Sequence, residues 1–238
     1  MKLDDISRTF LDHHRDDALS SPSEDLIRVF LGRYPHHMFD TATYPMSSVC
    51  DLSVGDGRNY VFLRRVGFDR VLGTEITEEM VNLAVRRISE LGFDADISVG
   101  SNLTAPFDDD AFDYLVSWNS CYYVENVGDF PQHLAEFSRI LRSRGFLVLS
   151  IPMHSHRILD NCDDLGGGYC IIRDDHCDGQ RNGAIWRTFL HKDEIIETLS
   201  PAFTDFRVAS IRDDMFGFNY DHYIVVCRKR SERKISVS

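Results

Sequence analysis

One stretch of the chain, Asp51-Leu52-Ser53-Val54-Gly55-Asp56-Gly57-Arg58-Asn59, carries residue types suited to binding rather than packing. Small residues let a backbone approach a ligand closely, and a helix opening just beyond them offers N–H groups to a carboxylate or phosphate. Glu75 follows 20 positions after Gly55. An acidic group at that distance can accept hydrogen bonds from two ribose hydroxyls. The combination reads as a site for a ribonucleoside cofactor. Tyr60 stands where a dinucleotide fingerprint needs Gly or Ala for close helix packing, which argues against NAD or FAD. No Gly-Lys-Ser/Thr follows, so a phosphate-binding P-loop is excluded.

The elements that must hold these residues alternate between strand and helix. Val49 to Leu52 reads as a buried strand that delivers the Gly-containing turn, and a helix runs from Arg58 to Val66. Val71 to Glu75 is a second strand. Thr77 can cap a helix whose face carries Met80, Leu83, Ala84, Ile88 and Leu91, ending at Gly92. Ile97 to Val99 and Tyr114 to Trp118 are further strands. A helix over 130–142 is ended by Gly145, and Phe146 to Ile151 is the fifth strand. Upstream, Ser21, Pro22 and Glu24 predict a capping box for a helix over 21–33 with Leu26, Val29 and Phe30 as its apolar stripe. Residues 5–18 read as another short helix. Near the end, a helix at 192–199 precedes strands Phe206 to Ile211 and His222 to Cys227, which can pair antiparallel. Such units imply a parallel sheet covered by helices on both faces.

In this context the sequence resembles the class I S-adenosylmethionine-dependent methyltransferases. Four pieces match in order: Asp51 to Gly57, the ribose-binding acid Glu75, the segment Pro106 to Asp113 leading into the fourth strand, and Leu141 to Leu147 turning into the fifth. The resemblance covers residues 48–152, and 186–228 more loosely. It implies a three-layer Rossmann-like α/β fold, mostly parallel with an antiparallel C-terminal strand. It implies S-adenosyl-L-methionine as cofactor, held by Asp51, Ser53, Gly55, Gly57, Glu75, Ile76, Ser101, Asn102 and Trp118. Ser53 stands where the family usually has Gly, a strain if φ is positive. Ser101 stands where an Asp often takes the adenine amino group; the Ser101 hydroxyl or Asn102 can substitute. The whole chain, 1–238, then reads as a single methyltransferase domain. It divides into an N-terminal helical segment (1–47), a cofactor-binding core (48–152), an inserted lid or acceptor segment (153–186), a C-terminal helix and strand pair (187–228) and a tail (229–238).

Methyl transfer needs a nucleophile in line with the methyl group, and a base if the acceptor arrives protonated. Acceptor groups are therefore expected where strands four and five end. Trp118-Asn119-Ser120-Cys121-Tyr122-Tyr123 faintly resembles the Asn-Pro-Pro-Tyr motif of amino-group methyltransferases, without its prolines. Asn119 and Tyr122 are assigned to catalysis and Tyr123 to substrate binding. His154 and His156 follow strand five: His154 is a candidate base, His156 a substrate contact. Residues 153–186 show no period and predict a long functional loop. Among Arg173, Arg181 and Arg187, Arg173 is assigned to an acidic substrate group. His133 reads as an ordinary helix residue. His154, His156, Cys162, Cys170, His176 and Cys177 match no common zinc spacing, so no metal is expected.

The chain has 238 residues, 43% of them hydrophobic, and a formal net charge of −12. That charge repels polyphosphate, so nucleic acid is an unfavoured substrate. The basic run Arg228-Lys229-Arg230, with Arg233 and Lys234, reads as a solvated end. No apolar run suggests a signal peptide or membrane span, and six cysteines without a Cys-x-x-Cys pair suit a reducing, cytoplasmic setting. A small-molecule methyltransferase with an oxygen acceptor is the first reading; an amine or base methyltransferase and a non-catalytic relative are the alternatives.

Overall fold

The computed structural model describes residues 21–173 and 179–231. The helix expected at 5–18 lies outside them, as do His176, Cys177, Arg233 and Lys234. Helix α1 is Glu24–Leu31. Then come β1 (Ser48–Leu52), α2 (Arg58–Arg65), β2 (Arg70–Glu75), α3 (Glu78–Glu90), β3 (Ile97–Val99), β4 (Phe112–Ser117) and β5 (Tyr123–Val124). Helix α4 (Phe130–Ile140) leads directly into β6 (Leu141–Pro152). Short strands β7 (Cys162–Gly166), β8 (Tyr169–Ile172) and β9 (Ile185–Arg187) precede α5 (Lys192–Leu199). The chain closes with β10 (Phe203–Ile211), the small hairpin β11 (Asp214–Met215) and β12 (Phe218–Asn219), and β13 (His222–Lys229).

The main sheet has seven strands in the order β10-β13-β6-β4-β1-β2-β3. β1 pairs in parallel with both β2 and β4, and β4 with β6. β13 runs antiparallel to β6 and to β10, so the antiparallel strand is inserted one place from the edge. Alternation along the strands divides the interior into two cores. Val49, Tyr114, Val116, Val148, Ile224 and Val226 face α1, α2 and α3, among them Phe30, Tyr60, Leu63 and Ile88. Cys50, Leu52, Leu115, Leu147, Leu149 and Val225 face α4, α5 and the smaller sheet, among them Phe137, Leu199 and Trp186. This is the period-2 pattern of strands buried on both faces. Among the described residues no helix is long and apolar enough to cross a membrane.

Three local expectations are corrected. First, α1 starts at Glu24, so Ser23 rather than Ser21 is its cap and no side chain caps it. The Ser23 N–H instead donates to Asn59 Oδ1 at 3.3 Å, which ties the entry of α1 to α2. Leu26, Val29 and Phe30 are buried as the stripe requires. Second, α4 stops at Ile140, not Arg142. Leu141 is already extended and pairs with Phe112, and Arg142 Nη1 reaches both oxygens of Asp113 at 3.0 and 2.8 Å. The left-handed residue is Arg144, φ 63°, rather than Gly145. Third, residues 153–186 are not one long loop. They supply three of the four strands of an antiparallel sheet ordered β5-β9-β8-β7. Tyr169, Cys170, Ile172 and Trp186 are buried, while Asp163, Asp164 and Gly166 are exposed, so the strands are too short and too mixed to show a period.

Candidate active site

The strand order reverses between β1 and β4, and a cavity of about 460 Å³ opens at the carboxyl ends of these strands. Open α/β sheets bind ligands at such a point. Ser53 and Gly55 line it, Gly57 ends the same loop without lining the cavity, and all three adopt positive φ, at 63°, 61° and 85°. Ser53 therefore does carry the backbone strain its side chain implies, of order 1 kcal/mol. Gly57 caps α2, and a Cβ there would lie 2.6 Å from Ile88 Cγ1. Only glycine lets α2 and α3 close on each other beneath the loop. Glu75, at the end of β2, is buried. Its Oε1 accepts from the Gly55 N–H and its Oε2 from the Ile76 N–H at 3.1 Å. Burial lifts its carboxyl to about 7, against the pull of those two N–H donors.

Ile76, Met80, Ser101, Asn102 and Leu103 continue the wall. Ser101 Oγ is taken up by its own turn, accepting from the Leu103 N–H at 3.2 Å and the Thr104 N–H at 3.3 Å. Asn102 Nδ2 donates to Ser120 O at 3.2 Å, while its buried Oδ1 has no hydrogen-bond partner among the described residues. An acceptor in that state suits an amino group on a ligand. Asp51 is placed differently from expectation. It sits under the loop and does not line the cavity. Burial, with Glu75 and Asp56 nearby, holds its carboxyl well above the usual range.

The other end of the cavity is aromatic. Trp118, Tyr122, Tyr123, Trp186 and Tyr220 line it. The Tyr122 and Tyr123 rings stack at 5.0 Å, and Trp186 meets their edges at 4.7 and 5.1 Å. Burial raises the Tyr122 phenol well above its ordinary value, so it stays neutral. Asn119 is left-handed, φ 57°, and its Oδ1 accepts from Ser150 Oγ at 2.7 Å. A second, smaller cavity of about 180 Å³ shares Trp118, Asn119, Tyr122, His156 and Tyr220 with the first. Asp25 and His222, paired at 3.1 Å, stand on its far wall.

His156 lines both cavities. Its Nδ1 accepts from the Ile158 N–H at 3.2 Å, so the ring proton sits on Nε2. Burial first, then Arg157, His222 and Arg181, lower it to about 4. It is a donor at neutral pH, not a base. His154 is exposed and lines neither cavity, so it is not brought to the site. Arg173 is exposed too and is engaged by Asp163 at 2.6 Å, away from the cavity. The arginines that do line it are Arg58, Arg157 and Arg181. Sequence reasoning also missed His133, buried on α4 yet part of the cavity wall. Phe130 three positions before it and Phe137 four after it give it the spacing of an inward residue, which was the available signal. Among the described residues no cluster of His, Cys, Asp and Glu is arranged to hold a metal ion.

Comparison with known proteins accords with this geometry. Residues 49–145 match the family model described as a methyltransferase domain. An uncharacterized 37.1 kDa protein of a Streptomyces fradiae transposon is 29% identical over 180 residues, 73% of this chain. The match spans 50% of that relative's length. A Methanosarcina mazei S-adenosylmethionine-dependent methyltransferase superposes with a TM-score of 0.62 at 19% identity, over 78% of this chain and 93% of that one. A Burkholderia thailandensis 1,6-didemethyltoxoflavin-N1-methyltransferase, solved with its substrate and S-adenosylhomocysteine, gives 0.62 at 18% identity, over 96% and 87%. At such identities the structures share the fold. Residues 49–145, which carry the glycine loop and Glu75, thus match a methyltransferase domain, and the chain as a whole shares its fold with S-adenosylmethionine-dependent methyltransferases.

Proposed function

We propose that the protein methylates a small molecule, with oxygen as the accepting atom. The observation that carries this reading is one continuous cavity with two chemically different ends. A glycine loop, Glu75 and Asn102 stand at one end, and Trp118, Tyr122, Tyr123 and Trp186 at the other. S-adenosylmethionine supplies an electrophilic methyl group on a sulfonium. The loop N–H groups would meet its carboxylate, Glu75 the ribose hydroxyls, and Asn102 Oδ1 the adenine amino group. The buried aromatic end excludes water and orients the acceptor, which is where most of the acceleration of a displacement comes from.

An amine acceptor is the weaker reading. The Asn119 carbonyl that would receive an amino group is already engaged by Ser150. The size of the cavity favours a small molecule, and the net charge of −12 works against nucleic acid. Residues 153–186 contribute His156, Arg157 and Arg181 to the acceptor end, which suits a wall more than a mobile lid. Calorimetry tests the central claim. S-adenosylhomocysteine should bind the wild type, and Glu75→Ala should weaken it by about tenfold or more, as expected for losing hydrogen bonds to a charged group. Folded protein that binds neither S-adenosylmethionine nor its product would remove this function.

A further inference from the structure

We propose that His133 is the general base of the site and that the acceptor is a hydroxylated aromatic ring. This rests on the methyltransferase reading above. The geometry begins with a fixed tautomer. His133 Nδ1 lies 3.0 Å from the carbonyl oxygen of Cys121, and a carbonyl can only accept, so Nδ1 carries the proton. Nε2 is left with its lone pair, on a residue that is 2% exposed and still lines the cavity. Helix α4 holds the ring, with Phe130 and Phe137 beside it at 6.2 Å each. Cys121 belongs to the same strand-end segment as Asn119 and Tyr122, so the base is tied to the wall that orients the acceptor.

His156 has the opposite tautomer, with its proton on Nε2. The cavity thus presents one histidine that accepts and one that donates, each set by a backbone group. A hydroxyl acceptor uses the first, since its O–H must be removed as it attacks. A neutral amine reacts without prior loss of a proton and gains nothing at the bond-forming step. The stacked and edge-on rings of Tyr122, Tyr123 and Trp186 present flat apolar surface, which suits a planar aromatic acceptor.

As the oxygen–methyl bond forms, the electron pair of the methyl–sulfur bond passes to sulfur, and the hydroxyl proton passes to His133 Nε2. One positive charge leaves the sulfonium and one appears on the imidazole. Burial lowers the His133 basicity, while the Cys121 carbonyl and Asp129 raise it, so the ring is neutral and ready at neutral pH. The other titratable groups around it are the raised Cys121 thiol and Tyr122 phenol, with Glu125, His156, Arg157 and Arg181 on the cavity wall.

The test uses the full chain, S-adenosylmethionine and two ring-matched probes near neutral pH. Phenol keeps its proton there and pentafluorophenol does not. His133→Asn, which can still donate to Cys121, should methylate phenol about 100-fold more slowly than wild type. On pentafluorophenol the same substitution should cost less than about threefold, because that probe needs no base. Affinity for S-adenosylhomocysteine should not change. Equal losses on both probes, or none, would overturn the base. Cofactor binding without methylation of either phenol would overturn this inference and leave the cofactor reading standing; absence of cofactor binding would sink that reading instead. Should the variant fold poorly, nitrogen-15 NMR of the wild-type imidazole decides. The inference requires a neutral His133 protonated at Nδ1, and a signal from the Nε2-protonated form would end it.

Discussion

At the level of single residues, Glu75 joins cofactor binding to pH. Its carboxyl ionises in the usual carboxylate range when unfolded and near 7 in the fold, because burial penalises the charge. The fold therefore takes up a proton between those values. The free protein loses stability as pH rises from about 4.5 to 7, by up to about 3 kcal/mol. Ribose hydroxyls that donate to this group favour its ionised form. Affinity for S-adenosylhomocysteine should accordingly rise from pH 6 and level off above about 7, and calorimetry across that range measures it. Glu75→Gln should bind more weakly with a flatter profile; an unaltered slope would assign the pH effect to another group. The orientation of Glu75 was not legible in the sequence. Its acidity and spacing were, but the two N–H groups that hold it come from Gly55 and Ile76, and nothing in a one-dimensional pattern pairs those donors with it.

Among the elements, the junction of α4 and β6 shows where local signals and tertiary demands part. A glycine after a helical stripe usually marks a left-handed stop. Gly145 does something else: a Cβ there would lie 2.9 Å from Arg142 O and 3.1 Å from Asp113 O. The glycine is needed because β4 and β6 approach closely where their register shifts. Gly145→Ala should cost about 1–3 kcal/mol of stability, since the obstructing atoms are backbone and cannot swing aside. Urea unfolding would show this as a lower midpoint, with cofactor affinity unchanged because the junction lies at the opposite end of β6 from the cavity. The strands and helices of the cofactor core were readable because each carries a long period or a cap, as Thr77 does through its bond to the Met80 N–H. The β7–β9 strands were not, since they are short, β9 pairs with β5 far back in the chain, and the sheet packs around one buried tryptophan, Trp186.

For the molecule as a whole, the sheet order was legible and the acceptor site was legible only in part. Repeated strand–helix units with short turns leave few topologies, and the antiparallel β13 follows from two neighbouring strands late in the chain. The acceptor end is assembled from residues of the β4 end, α4, the smaller sheet and the segment before β13, so proximity in sequence placed Tyr122, Tyr123 and His156 there but also the exposed His154 and Arg173. His133 was passed over because an inward helix position looks the same whether it meets a core or a cavity. The two cavities on either side of Asn119, Tyr122 and His156 bear on traffic through the enzyme. If those shared side chains swing aside, a ligand at the acceptor end exchanges through the chamber beside Asp25 and His222 while the nucleoside end stays filled. Neither substrate then gates the other, and neither product must leave first. Steady-state kinetics should fit a random order of addition, with each product competing against its own substrate; a compulsory order would mean that the side chamber is closed during turnover.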